Sequence, residues 1–507
     1  MAFEPNFEKV VASVRKRLGV VQSQVECKLP TVDEVKKVLC SNAKANIINV
    51  EVNGRDIVYS GYVNFQILYL DQNQNPISMD YTAEFKDKFQ AETELQFGIP
   101  VANVSVIDVN TIVNNDIKAV AIIEITMDFI ENNSTNVLSN ITGENYHVRK
   151  EMLNYSNYVA TVSNKFEVIN DVEIKDGVSK VLSVCPSVFI EKVVPTDRYL
   201  TLSGGVYFDI CYLTDNNIIR TTQANFDFSQ EIAQDDLDEN SILQNDLQIL
   251  YNDIKVTTGI DTDSAIVNIN LPLLYQGYIF KNNNVEVVSD LYSTEHFTNV
   301  VVESIKSLDC FDTIMFNEKL NGSVTIQEND AFIDELLGNC CSSVVVANSV
   351  VSDNKLVVEG IATITVLYLN KETNGVYSVE VEMPFSTSTN VDLKDGVNTA
   401  VRLALTNIQT RARRGKEIEV NANLEIYSDI FSMDENAVIT NVVEEDEIPE
   451  SECAMSFYLT KDGDTIWEIA KELRISTEML LAQNPNLTEP IKAGTRVVVY
   501  RQRQVEF

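Results

Sequence analysis

Apolar and polar residues alternate along most of this chain with the two-residue period of a half-buried strand. Within 58–70, Val63, Phe65, Ile67 and Tyr69 fall on one face, with Tyr62, Asn64 and Gln66 on the other. The pattern returns at Val206, Phe208, Ile210 and Tyr212, and again at Ala362, Ile364, Val366 and Tyr368. In each copy a glycine stands eight residues before a Tyr-Leu pair: Gly61 and Tyr69, Gly204 and Tyr212, Gly360 and Tyr368. A glycine inside such a run predicts a β-bulge or a close backbone approach.

The flanks repeat as well. The apolar stretches 35–39, 178–182 and 333–337 lead their glycines by 22, 22 and 23 residues (61 − 39, 204 − 182, 360 − 337). Their periodicity fits short helical turns or strand starts and does not decide between them. Further strand-like runs follow at 119–127, 265–271 and 418–427, and the Asn-rich segments 131–134 and 281–284 predict surface turns. The glycines are 143 and 156 residues apart (204 − 61, 360 − 204), which predicts whole domains in tandem rather than a solenoid of small repeats. Short strands with polar connections predict β-rich, sandwich-like domains.

The period changes near the end of the chain. Phe457 and Leu459 alternate like a short strand, and Gly463 supplies a turn out of it. Thr465 followed three residues later by Glu468 is a capping-box pattern, and Ile466, Ile469, Ala470 and Leu473 recur at helical spacing. Ser476 is placed to cap a second helix carrying Met479 and Leu480, which Asn484-Pro485 stops. Val497, Val498, Val499 and Tyr500 read as a closing strand. The acidic stretch 444–452 predicts an extended tether before this module. The expected organisation is a segment at 1–20, β-rich repeats at 21–150, 151–300 and 301–442, an acidic linker at 443–454, and a βααβ module at 455–501.

The 507 residues suffice for about three to five domains. With 39 basic against 75 acidic residues, the net charge of −36 excludes a nucleic-acid binder. No uncharged run is long enough for a transmembrane helix, and 1–20 lacks the apolar core of a secretory signal, so a cytoplasmic protein is expected. Eight cysteines are scattered without a C-x-x-C, which gives no metal site of ordinary spacing. Cys211 reads as a small core hydrophobe, and structural disulfides are not demanded. The two histidines, His147 and His296, sit at similar places relative to their repeats and read as scaffold. With no phosphate loop, H-E-x-x-H or nucleophile elbow, no catalytic residue and no cofactor is expected. Arg411, Arg413, Arg414 and Lys416 form the one dense basic patch; a charged hairpin turn explains it more simply than a dock for an acidic segment.

The C-terminal motif set resembles the LysM domain, a module that usually binds N-acetylglucosamine-containing glycans. Tandem β-rich repeats with the Gly-to-Tyr-Leu strand, followed by one such module, resemble the SPOCS-domain spore-coat family. That resemblance implies a non-enzymatic assembly factor of the sporulating mother cell, placed on the forespore surface. Its implied partner is the spore-coat morphogenetic ATPase of the basement layer (SpoIVA-like), contacted through the LysM end. The LysM ligand groove would then lie between Gly463, Asp464, Thr465 and Ile466 on one loop and Asn484, Pro485, Asn486 and Ile491 on the other. Backbone amides and an apolar floor would read an acetamido group there. Asp462, Asp464 and Glu489 would make the rim acidic, which suits a basic protein surface as well as a neutral sugar. The alternative is a binder of peptidoglycan or cortex glycan, and a hidden enzyme is the third reading.

Overall fold

A computed structural model describes residues 3–30, 34–114, 116–143, 145–260, 264–327, 332–373, 375–392, 397–449 and 455–500. The first repeat holds β1 (Glu4–Leu29), β2 (Val35–Asn53), β3 (Asp56–Asp71), β4 (Pro76–Gln90), β5 (Gly98–Val113) and β6 (Ile117–Thr142). They form two antiparallel sheets, ordered β1-β6-β5 and β2-β3-β4, with apolar faces packed on each other. The second repeat holds β7 (Tyr146–Ile174), β8 (Val178–Thr196), β9 (Tyr199–Thr214), β10 (Ile219–Ala233), β11 (Ile242–Ile249), β12 (Lys255–Ile260) and β13 (Ala265–Ser293). Here the fifth strand is broken in two by a single 3-10 turn at Tyr251–Asp253, so β11 and β12 both pair with β13. The third holds β14 (His296–Thr325), β15 (Glu335–Ser352), β16 (Lys355–Asn370), β17 (Gly375–Asn390), β18 (Asn398–Arg413) and β19 (Glu417–Glu447), ordered as in the first. The protein is therefore mainly β, three sandwich-like repeats followed by a βααβ module.

The repeated glycine strand is the central strand of the smaller sheet in every copy. Val63, Phe65, Ile67 and Tyr69 are completely buried against the opposing sheet. The glycines answer the choice between bulge and close approach. A Cβ on Gly61, Gly204 or Gly360 would collide with the carbonyl oxygen of Asn46, Phe189 or Val345 on the neighbouring strand. That neighbour carries a register shift at the same level, between Ile47 and Asn49, Ile190 and Lys192, and Val346 and Asn348. The bulge is thus on the partner, and it pushes backbone into the space a side chain would need. On the other side each glycine pairs with a phenylalanine, Phe85, Phe228 or Phe385, whose ring covers it. The flanking stretches of undecided type are strand starts, in β2, β8 and β15.

The first and last strands of each repeat outrun their sandwich as two-stranded ribbons, and the three ribbons pack together into a stalk. Its interior is layered by equivalent positions: Val137, Val287 and Val438, then Leu138, Val288 and Ile439, then Ile141, Leu291 and Val442, all buried. Each copy presents one apolar row that only the other two can cover, so three copies close a core that one cannot.

This stalk corrects several expectations. Strand β1 begins at Glu4 and pairs with β6 to Leu29, so 4–20 belongs to the first sheet. The Asn-rich segments 131–134 and 281–284 are not turns; they lie inside β6 and β13. Their amides bond across to the neighbouring strand β7, as Asn132 Nδ2 does to the Tyr158 carbonyl (3.0 Å) and Asn283 Nδ2 to Asn157 Oδ1 (2.6 Å). The acidic tether is strand as far as Glu447, because the β14 partner satisfies its backbone; 450–454 fall outside the described residues. His147 and His296 stand in the opening residues of β7 and β14. Arg411 and Arg413 face Glu419 and Glu417 across the β18–β19 hairpin, with Arg413 bonded to Glu419 (2.8 Å) and Arg414 and Gly415 turning the chain. Where the smaller sheets of all three repeats meet, the sulfurs of Cys40 and Cys341 come into contact across repeats, a pairing that sequence spacing did not anticipate. Cys211 is buried there too, as a core residue.

Candidate binding site on the C-terminal module

The module consists of β20 (Met455–Leu459), α1 (Ile466–Leu473), α2 (Thr477–Gln483) and β21 (Arg496–Tyr500), with β20 and β21 antiparallel. The capping box is formed: Thr465 Oγ1 accepts from the Glu468 amide (3.2 Å), and the Glu468 carboxylate accepts from the Thr465 amide (3.0 Å). Ser476 caps α2 through the Met479 amide (3.0 Å). Both caps use local sequence signals, which is why the helices fall where the pattern predicted.

The two loops expected to frame a groove do come together. Glu489 Oε1 accepts from the Ile466 amide (2.7 Å), tying the second loop to the start of α1. Several of the expected groove residues are engaged in scaffolding. Asp464 accepts from the Tyr458 hydroxyl (3.0 Å) and the Lys461 amide (2.8 Å), and Thr465 is the helix cap. Asn484 bonds Leu480 O (3.0 Å) and both backbone groups of Val498 (2.8 and 2.9 Å). Ile491 is buried in the module core, and Ile466 is half-buried against it. Gly463 (φ +91°), Pro485 and Asn486 are exposed and available to a ligand. What the arrangement offers is a short apolar floor, an acidic rim and few free polar groups.

A second face of the module is committed to the stalk. Tyr292, at the end of β13, is fully buried within the module core and donates to the Ile475 carbonyl (2.8 Å). Asp290 accepts from the Trp467 indole (2.7 Å) and the Lys471 ammonium (2.5 Å), and Arg474 donates to the Ser293 carbonyl (3.3 Å). Burial pushes the Asp290 carboxyl up, but the bonds from Lys471 and Trp467 outweigh it and hold it below the usual range. His147 stacks on Tyr292 at 5.0 Å between centroids, and burial lowers its pKa. Sequence reasoning missed this contact. Its one signal was the sole tryptophan of the chain, one turn before Lys471 on the same helix face.

A polar cavity of about 890 Å³ lies between the repeats, lined among others by Arg15, Asp128, Asp246, Arg402 and Tyr427. Some of its charges are paired: Arg15 with Asp128, and Arg402 with Asp246 (2.9 Å) and Asp429 (3.1 Å). The Arg402–Asp246 pair joins the third repeat to the second, whereas Arg15–Asp128 links two strands of the first.

No helix of the described residues is long and apolar enough to cross a membrane. No curated protein and no solved structure matches the chain. Two family models do. Residues 333–413, which span β15 to β18, match the SPOCS domain of SipL, and residues 458–499 match the LysM domain. The chain therefore joins a SipL-type SPOCS domain in its third repeat to a C-terminal LysM domain.

Proposed function

We propose that this protein is a non-enzymatic assembly adaptor of the spore coat, with its LysM domain serving as a protein-binding module. The pairing of SPOCS and LysM in one chain supports a sporulation- and coat-associated role, and neither domain type is catalytic. The observation that carries the finer reading is the bond from the Ile466 amide to Glu489. A glycan acetamido group reaching for that amide would have to displace a carboxylate already seated there. The acidic rim left around it favours a basic protein surface. On this reading Gly463, Asp464, Thr465, Ile466, Asn484, Pro485, Asn486 and Ile491 form the docking loops, and the coat basement ATPase on the forespore surface is the partner. The repeats then act as a rigid three-lobed body behind the hook.

The test uses the full chain, because Tyr292 of the second repeat completes the LysM core. Purified protein is offered the ATPase on a biosensor and insoluble peptidoglycan in a sedimentation assay. Binding to the ATPase that weakens in an Asn486→Arg variant, without co-sedimentation, supports the adaptor. Sedimentation with glycan and no ATPase binding overturns it in favour of the wall- or cortex-binding alternative.

A further inference from the structure

Cysteines far apart in sequence converge where the three smaller sheets meet. The thiols of Cys40 from the first repeat and Cys340 and Cys341 from the third lie within 4.8 Å of one another, all buried. Around them pack Leu39, Leu68, Leu182, Leu337 and Leu367, which exclude water. Cys185 of the second repeat stands beside the set, its thiol donating to the Cys340 carbonyl (3.3 Å).

The backbone of the third repeat is altered at this spot. The pairing of β15 with β16 skips Cys340: Asn339 faces Val366 and Cys341 faces Thr365. At the equivalent level the other repeats pair without a break, Ser41 and Asn42 with Ile67 and Gln66, and Val184 and Cys185 with Ile210 and Asp209. Cys340 is therefore the one extra residue that separates the third spacing of 23 from the other two of 22 (360 − 337 against 61 − 39). An inserted bulge re-aims a side chain, and here the chain has inserted a thiol beside another thiol.

We propose that Cys40, Cys340 and Cys341 bind one thiophilic closed-shell cation, Zn(II) or Cu(I), that ties the first repeat to the third. Soft thiolate ligands select these ions. Metal–sulfur bonds of about 2.3 Å around one ion place the sulfurs roughly 4 Å apart, within the reach of the three side chains once the Cys40 and Cys341 sulfurs, in contact in the structure, part to seat it. A disulfide uses only two of the three sulfurs and gives the Cys340 bulge no role. The Cα atoms of Cys40 and Cys341 are also 7.1 Å apart, wider than the usual disulfide span of about 4.4–6.8 Å. Thr365 provides an outer contact, its hydroxyl oxygen 3.3 Å from the Cys341 sulfur.

The full chain is expressed with zinc, or with copper under anaerobic conditions, purified with a non-chelating reductant, and its metals are measured by mass spectrometry. About one ion per chain is expected, its identity separating the two arms, with a several-fold loss in Cys340→Ser and no change in Cys27→Ser. Because Cys40→Ser loses a junction contact and is prone to misfold, a second readout uses the unmutated chain. Co(II) added to metal-free protein should give a thiolate-to-cobalt absorption band at one equivalent. Thiols counted after denaturation with chelator, in protein never exposed to oxidant, should number all eight. Two missing thiols with no retained metal, full loading in Cys340→Ser, or, where zinc is the retained ion, no cobalt band would each overturn the proposal.

Discussion

The Asp290 carboxylate receives the Trp467 indole N–H at 2.7 Å, one bond that joins the second repeat to the LysM helix α1. The same carboxylate holds Lys471, and the Trp467 ring meets Tyr292 edge-on at 5.1 Å between centroids. The module is thus seated on the stalk by a small, half-buried cluster.

Asp290→Ala is expected to unseat the module. Hydrogen bonds to a charged group contribute about 1.5–3 kcal/mol each at most, and two are lost here with part of that screened by solvent. Because the chain has 1 tryptophan, its fluorescence reports this contact alone; a red-shifted emission is expected, with the repeats still folded. Acid should mimic the substitution. Asp290 is held below its ordinary value by Lys471 and Trp467, so its contribution is present above about pH 4 and is lost as pH falls through the folded value. An emission unmoved by Asp290→Ala would show that apolar packing alone seats the module.

Gly61, Gly204 and Gly360 occupy equivalent positions, and alanine at any of them drives a Cβ into a neighbouring carbonyl oxygen. Relief requires moving the bulged partner strand, so each substitution should cost about 1–3 kcal/mol, as overpacking does. The three effects should be alike, because the same bulge and the same covering phenylalanine recur. Thermal or denaturant unfolding of the three variants checks this, and a harmless Gly204→Ala would place the constraint elsewhere.

That equivalence also explains what the sequence made legible. Strand alternation, the glycine step and the caps at Thr465 and Ser476 are local patterns, and they located the strands, the tandem copies and both LysM helices. The stalk was invisible because Leu138, Val288 and Ile439 look like ordinary strand residues until three chain segments about 150 residues apart are laid together. Asn132 and Asn283 were misread as turns for a related reason. Asparagine favours turns when its amide must bond locally, but inside the stalk the neighbouring ribbon supplies a partner for Asn132 and the paired strand of its own ribbon one for Asn283. The cysteine junction was hidden likewise, although the extra residue before Gly360 was its trace. Within the loops expected to frame a groove, Asp464 and Asn484 are occupied in holding the module together.

Arg402 bridges the second and third repeats, bonded to Asp246 and to the fully buried Asp429. Removing it leaves Asp429 as an uncompensated buried charge, which costs about 3–5 kcal/mol. Burial already pushes Asp429 up, with Arg402 as the main opposing influence. In Arg402→Ala the carboxyl should therefore rise further and take up a proton. A raised folded value contributes stability that is present at low pH and lost as pH rises through it. Arg402→Ala should accordingly be more destabilised at pH 8 than at pH 5, by melting temperature relative to the parent protein. An equal deficit at both pH values would mean that Asp429 stays ionised and finds another partner.

The last expectation concerns the amide that Glu489 occupies. Glu489→Ala removes the anion from the first turn of α1, a loss of about 0.3–1 kcal/mol for an exposed helix N-terminus, while the Thr465–Glu468 box keeps the helix started. The Ile466 N–H is then open at the mouth of an apolar floor, the donor that an acetamido carbonyl needs. If the carboxylate is what bars glycan, titration calorimetry should detect an N-acetylglucosamine oligomer binding to Glu489→Ala and not to the parent chain. Equal binding to both would show that the carboxylate yields readily to sugar, and the peptidoglycan reading would then gain over the adaptor. Binding to neither would place the barrier in the surrounding acidic rim, where Asp462 and Asp464 remain.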